Sequence, residues 1–131
     1  MRLALLSLLL TITSLSAEYI RQPIDQKLID SKIKIIDIRT PSEWKTTGLV
    51  KGSVPIMFFD EQGNYDLNAF LVKLNKVVKK DEKFALICNS GNRSKILGTY
   101  LGNQMGYRVV DIDGGIQYVI SKKLPLTPYK P

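Results

Sequence analysis

Phe84-Ala85-Leu86-Ile87-Cys88-Asn89-Ser90-Gly91-Asn92-Arg93-Ser94 takes the chain from one kind of backbone to another around a single thiol. Phe84 to Cys88 is a continuous apolar run, the pattern of a strand buried on both faces. Asn89 to Asn92 is polar and contains Gly91, which permits backbone angles that other residues resist. From Arg93 to Met105 the apolar residues Ile96, Leu97, Tyr100, Leu101 and Met105 recur at helical spacing, and Gly106 stands where helices commonly end. The order is strand, thiol, short loop, helix. Backbone N–H groups of such a loop can curl around the Cys88 sulfur, while the helix behind it points its positive end at the same spot. Arg93 adds a fixed charge with a planar donor fork. These features predict a Cys88 pKa below the ~8.5 of a free thiol.

Outward from this segment, strands and helices alternate. Ile24 to Ile29 reads as a short amphipathic helix, and the β-branched run Ile33 to Ile38 as a buried strand. Thr40-Pro41-Ser42-Glu43 predicts a helix start with Thr40 as N-cap, Pro41 in the first turn and Glu43 completing a capping box. Gly48 and Gly52 punctuate a loop to a short strand over Val54 to Met57. Gly63 and Asn64 lead to a helix capped by Asp66, with Leu67, Phe70, Leu71, Leu74, Val77 and Val78 on one face. Tyr107 to Ile112 is the next strand, and Gly114-Gly115 opens a short helix to about Lys122. Leu124 to Pro131 holds three prolines and is expected to be extended. The alternation predicts an α/β fold, a mostly parallel sheet covered on both faces. Ligands of such sheets bind at the carboxyl ends of the strands, where Cys88 sits.

The chain has 131 residues, of which 44% are hydrophobic, enough for one domain with a real core. Met1 and Arg2, the apolar stretch Leu3 to Leu15, the small residues Ser16 and Ala17 and then Glu18 have the order of a secretory signal peptide. We therefore expect a signal peptide over 1–17, a single domain over 18–131, and an exported, periplasmic protein that meets the membrane only before cleavage. There is one cysteine, so no internal disulfide exists. A lone thiol in an oxidising compartment is either buried as a small core residue or put to work. Histidine is absent, which removes Ser-His-Asp and Cys-His catalysis and any histidine-containing zinc site. The formal charge of +7 suits small anions or an acidic partner. Lys73, Lys76, Lys79 and Lys80 read as a solvated helix face, and no interleaving of basic and aromatic residues points to nucleic acid.

An anion cradle around sulfur suits phosphoryl transfer through a cysteinyl phosphate or sulfur transfer through a cysteine persulfide. Protein tyrosine phosphatases resemble this pattern, but with five residues between Cys and Arg and usually His before the Cys. Here four residues separate Cys88 from Arg93, and Ile87 precedes the thiol. A smaller loop fits one sulfane sulfur better than a tetrahedral phosphate.

The segment CNSGNRS resembles the active-site loop of the rhodanese family. Asp37-Ile38-Arg39-Thr40-Pro41-Ser42-Glu43-Trp44, followed by Gly48-Leu49-Val50-Lys51-Gly52-Ser53-Val54-Pro55, is similar to that family's D-x-R-x-x-x-E-[WF] and GHIxGAxxI patterns. Gly106-Tyr107, with Val110-Asp111-Ile112-Asp113-Gly114-Gly115-Ile116, is similar to its G-[FY] and V-x-x-L-x-G-G segment. The likeness spans roughly 20–125, with the motifs in family order. Three positions depart from it: Leu49 where His is usual, Tyr118 where Trp commonly stands, and Asn89 where Arg is frequent.

The resemblance implies a three-layer fold with a central five-stranded sheet. It also implies a thiosulfate sulfurtransferase in which Cys88 carries the sulfur and Asn89, Ser90, Gly91, Asn92 and Arg93 form the binding loop. Arg93 would orient an anionic donor or brace the loop. Asp37 and Arg39 would support the site as a hydrogen-bonded brace, and Glu43 and Trp44 read as cap and core. The expected donor is a small sulfur-containing anion such as thiosulfate or a polysulfide. The expected acceptor is a thiol, cyanide or a protein, and no metal or organic cofactor is required. The alternatives are a partner-dependent sulfur carrier and a small cysteine phosphatase or arsenate reductase.

Overall fold

The computed structural model describes residues 17–131, so the expected signal peptide lies outside the described residues except for Ala17. Strand β1 (Glu18–Pro23) is followed by α1 (Gln26–Asp30), β2 (Lys34–Asp37), α2 (Pro41–Thr47), β3 (Leu49–Val50) and β4 (Val54–Pro55). Then come α3 (Leu67–Val77), β5 (Lys83–Ile87), α4 (Asn92–Met105), β6 (Arg108–Asp113), α5 (Gly115–Ser121) and β7 (Leu126–Thr127). Five strands form one sheet in the order β1-β6-β5-β2-β4, with every neighbouring pair parallel. The expected mostly parallel sheet is thus parallel throughout. The tail is extended as expected, and there β7 pairs with β3 in a separate antiparallel ribbon.

Side chains alternate across the sheet as strand geometry requires. Phe84 and Leu86 of β5, and Cys88 just after it, face a core shared with Phe70, Leu74 and Val78 beside α3 and Leu97 and Leu101 of α4. Ala85 and Ile87 face the opposite core, with Leu28 of α1 and Ile116 and Val119 of α5. Central strands buried on both faces explain why β2 and β5 read as apolar runs. The edge strand β1 escaped sequence reading because Glu18, Arg21 and Gln22 break any apolar pattern. Its place comes from six parallel register pairs with β6, from Glu18–Arg108 to Pro23–Asp113.

Both expected helix caps form. Thr40 and Glu43 make the reciprocal capping box at α2, and the Asp66 carboxylate accepts from the Ala69 N–H at 3.0 Å. Asp37 at the end of β2 and Arg39 just beyond it are both fully buried and paired. The Arg39 Nε and Nη2 atoms donate to the Asp37 carboxylate, with Nη2 at 2.8 Å. Nη1 donates to Thr47 Oγ1 at 2.9 Å and Nη2 to the Gly48 carbonyl at 3.0 Å. Trp44 Nε1 donates to Asp37 Oδ1 at 3.1 Å. One buried ion pair therefore ties the end of a central strand to Trp44 and Thr47 in the second half of α2.

Removing one member of a buried pair leaves an uncompensated charge, at a cost of about 3–5 kcal/mol. Urea unfolding of Asp37→Asn should show a loss of that size, and adding Arg39→Met should return part of it. Additive losses in the double variant would contradict the pairing.

Candidate functional site

Cys88 follows β5 directly, and α4 begins four residues later. The N-cap of α4 is Gly91, which has no side chain to accept from the orphan amides of the first turn. The Cys88 sulfur takes that place. It accepts from the Gly91 N–H at 3.2 Å and from the Ser94 N–H at 3.4 Å. An N-cap oxygen would ordinarily satisfy the second of these donors. Gly91 has φ +102°, a backbone that favours glycine, and a Cβ there would also displace the Arg21 guanidinium, 2.8 Å away at Nη2.

The far side of the loop rests on α5. The Ile116 N–H donates to the Cys88 carbonyl at 2.9 Å and the Gln117 N–H to the Asn89 carbonyl at 3.1 Å. A trans peptide points its N–H opposite to its C=O, so the Asn89 and Ser90 amides turn away from α5. Gly115 allows this docking, since a Cβ there would meet the Cys88 carbonyl oxygen at 2.4 Å. The Asn89 side chain is engaged as well, its Oδ1 accepting from Gln117 Nε2 at 2.9 Å. Ser90 and Asn92 are exposed, and Gly91 is buried.

Arg93 is a brace in this structure. Its Nη1 and Nη2 each reach one oxygen of Glu43 at 2.7 Å, a bidentate fork across from α4 to α2. Glu43, expected to serve as a cap, does so and anchors Arg93 too. The bond to Arg93 is the main reason the Glu43 carboxyl is held below its usual range; burial opposes it, and the charge of Arg93 and the Thr40 amide add to it. Arg93 is held above its usual value chiefly by the same bond, with smaller support from Cys88 and Asp37. Asp37 and Arg39 close on each other rather than on the thiol. Arg39 also lines a polar cleft of about 280 Å³ with Glu43, Thr47, Asn89 and Gln117.

The thiol is 1% exposed. Cys88 is thus a buried side chain whose sulfur accepts from two backbone amides. Ser94, Asp111, Tyr19 and Arg21 also belong to the site; Ser94 and Asp111 stand inside the quoted motifs without a role, and Tyr19 and Arg21 in none. Ser94 Oγ lies 3.4 Å from Sγ and donates to Asp111 Oδ1 at 2.6 Å. Asp111 further accepts from Tyr19 and Arg21. The Tyr19 hydroxyl is pushed up to about 12 by burial and by its bond to Asp111. One signal was available: Asp111 is a charged residue inside the apolar strand Val109-Val110-Asp111-Ile112.

A family model described as the Rhodanese-like domain matches residues 16–122. No curated protein matches the chain. Among solved structures, the chain is similar to the polysulfide-sulfur transferase homodimer of Wolinella succinogenes. Identity is 18%, the TM-score is 0.65, and the match covers 86% of this chain and 80% of that one, a likeness of fold. It is similar to a rhodanese-related protein of Thermoplasma volcanium at 28% identity and a TM-score of 0.55, over 74% of this chain and 85% of that one. It is also similar to a Rhodopseudomonas palustris protein of unknown function, described as a possible tyrosine phosphatase. There the identity is 25% and the TM-score 0.54, over 74% of this chain and 72% of that one.

The Glu43–Arg93 pair has a pH signature. A carboxyl held lower in the folded state than in the unfolded state stabilises the fold above its ordinary value of 4.5, and that stabilisation is lost as pH falls through the depressed value. Urea unfolding of wild type and Glu43→Gln should differ by roughly 1 kcal/mol at neutral pH, a value for a partly exposed pair. The two curves should converge once the pH has fallen through the depressed value, where the carboxyl is protonated in both states. A difference that persists unchanged to that pH would contradict the ion pair.

Proposed function

Because the chain belongs to the rhodanese-like domain family, we propose that it is an exported sulfurtransferase that carries sulfane sulfur on Cys88. The family supports sulfur transfer in general; thiosulfate or a polysulfide as donor is our own assignment. The observation that carries it is the pair of amides at 3.2 and 3.4 Å from Sγ, which favour the anionic sulfur. The thiolate attacks the outer sulfur of thiosulfate. The S–S bond breaks, sulfite leaves with the electron pair, and Cys88 becomes a persulfide. A thiol, cyanide or a protein nucleophile then takes the outer sulfur, and the Cys88 thiolate leaves. The same two amides stabilise that leaving group. Two half-reactions through one covalent intermediate give ping-pong kinetics.

Four residues between Cys88 and Arg93 favour this over a phosphatase or arsenate reductase, whose substrates need a wider cradle. Burial of the thiol favours a second form of the same chemistry, a sulfur carrier that transfers on contact with a partner protein. Turnover on free thiosulfate against transfer to a candidate protein acceptor separates the two.

Incubation with thiosulfate or polysulfide, followed by intact mass measurement, should show a gain of roughly 32 Da, one sulfur atom, consistent with a covalent intermediate. Cys88→Ser should not gain it. No gain with either donor, or a gain that survives in Cys88→Ser, contradicts the proposal.

A further inference from the structure

The two residues whose amides reach the Cys88 sulfur, Gly91 and Ser94, are also tied through their other polar groups to side chains on β1 and β6. Arg21 of β1 donates through Nη1 to the Gly91 carbonyl at 3.2 Å and also to Asp111, and through Nη2 to Asp113 at 2.9 Å. Asp111 of β6 accepts the Ser94 hydroxyl at 2.6 Å. We propose that Arg21 and Asp111 are positioning residues for the nucleophile, holding Gly91 and Ser94 so that both amides stay aimed at the Cys88 sulfur. They act through the loop and not on the sulfur itself. The inference deepens the reading of Cys88 as the nucleophile and rests on it.

Three features support the assignment. First, a serine hydroxyl has one proton, and the short bond to a buried carboxylate takes it. Ser94 Oγ therefore faces Cys88 as an acceptor. Among the described contacts the two amides alone donate to the sulfur, so their aim decides how well an anion is held there. Second, Asp111 is 0% exposed. An apolar residue would avoid the desolvation of a buried carboxylate. What the carboxylate supplies is a fixed acceptor for Ser94, balanced by Arg21 and by the Tyr19 hydroxyl. Third, sheet register sets the pair. Arg21 stands opposite Asp111 in the parallel β1–β6 ladder, and a slip of one residue would turn it to the other face. The arginine fork spans Gly91, Asp111 and Asp113 together. A lysine, with one compact ammonium, keeps the charge but cannot make that span.

The test is the pH profile of Cys88 alkylation by iodoacetamide in the wild type, Arg21→Met and Arg21→Lys, each checked for a folded far-UV spectrum. Both variants should alkylate more slowly at pH 7, by about tenfold where the profile moves up one pH unit. If Arg21→Met fails to fold, Arg21→Lys decides alone. A wild-type profile in Arg21→Lys means that charge suffices and overturns the proposal, as do unchanged profiles in both variants. A wild type that resists alkylation at every pH below unfolding overturns it as well, since no reactive thiol is then being held. Alkylation requires no sulfur donor, so a failed persulfide experiment with normal alkylation points to the donor chemistry and leaves the positioning role standing.

Discussion

The structure turns on one substitution of roles: a cysteine sulfur serves as the N-terminal acceptor of a helix. Helix α4 starts at a glycine that cannot cap it, so its first-turn amides need an acceptor, and Cys88 at the end of β5 supplies one. The arrangement works in both directions. The helix gains an acceptor for an amide that burial would otherwise leave unpaired. The sulfur gains donors that favour its anionic form. A parallel sheet brings this about because each strand hands the chain to a helix at its carboxyl end.

Three ion pairs hold the surroundings still. Asp37–Arg39 ties β2 to α2, Glu43–Arg93 ties α2 to α4, and Asp111–Arg21 ties β6 to β1. Whether fully buried, as Asp37–Arg39 is, or partly exposed, as Glu43–Arg93 is, such pairs contribute little net stability compared with apolar packing. What they contribute is direction, because each carboxylate fixes several donors at once. Asp37 receives both Arg39 and Trp44, and Asp111 receives Ser94, Tyr19 and Arg21. The loop between β5 and α4 is thus approached by charged braces from α2 on one side and β1 on the other.

Much of this was legible in the sequence where the signal is local. The Thr40–Glu43 capping box, the Asp66 cap and the strand-thiol-loop-helix passage around Cys88 each lie within a few residues, where spacing dictates geometry. The missing parts are those assembled from a distance. Glu43 and Arg93 are 50 residues apart, and Ser94 and Asp111 are 17 apart, so no local period links them. Strand β1 was missed because an edge strand needs only one covered side, and its Tyr19-Ile20 pair sits among Glu18, Arg21 and Gln22. The predicted strand over Val54 to Met57 is shorter, Val54–Pro55, yet Ile56 and Phe58 still donate to the Asp37 and Ile38 carbonyls. Arg93, expected to orient a donor or brace the loop, has both of its terminal nitrogens on Glu43, a partner 50 residues away that no local spacing announces.

A sulfur that caps a helix can be a working nucleophile or an inert core atom, and its 1% exposure makes the distinction sharp. The direct measurement is the rate of Cys88 alkylation at mildly acidic pH in the native protein and in the urea-unfolded chain. An amide-stabilised thiolate reacts faster folded than unfolded, because the unfolded thiol is almost wholly protonated there. Protection of the native thiol both from alkylation and from taking up sulfur would contradict the account and return Cys88 to the core.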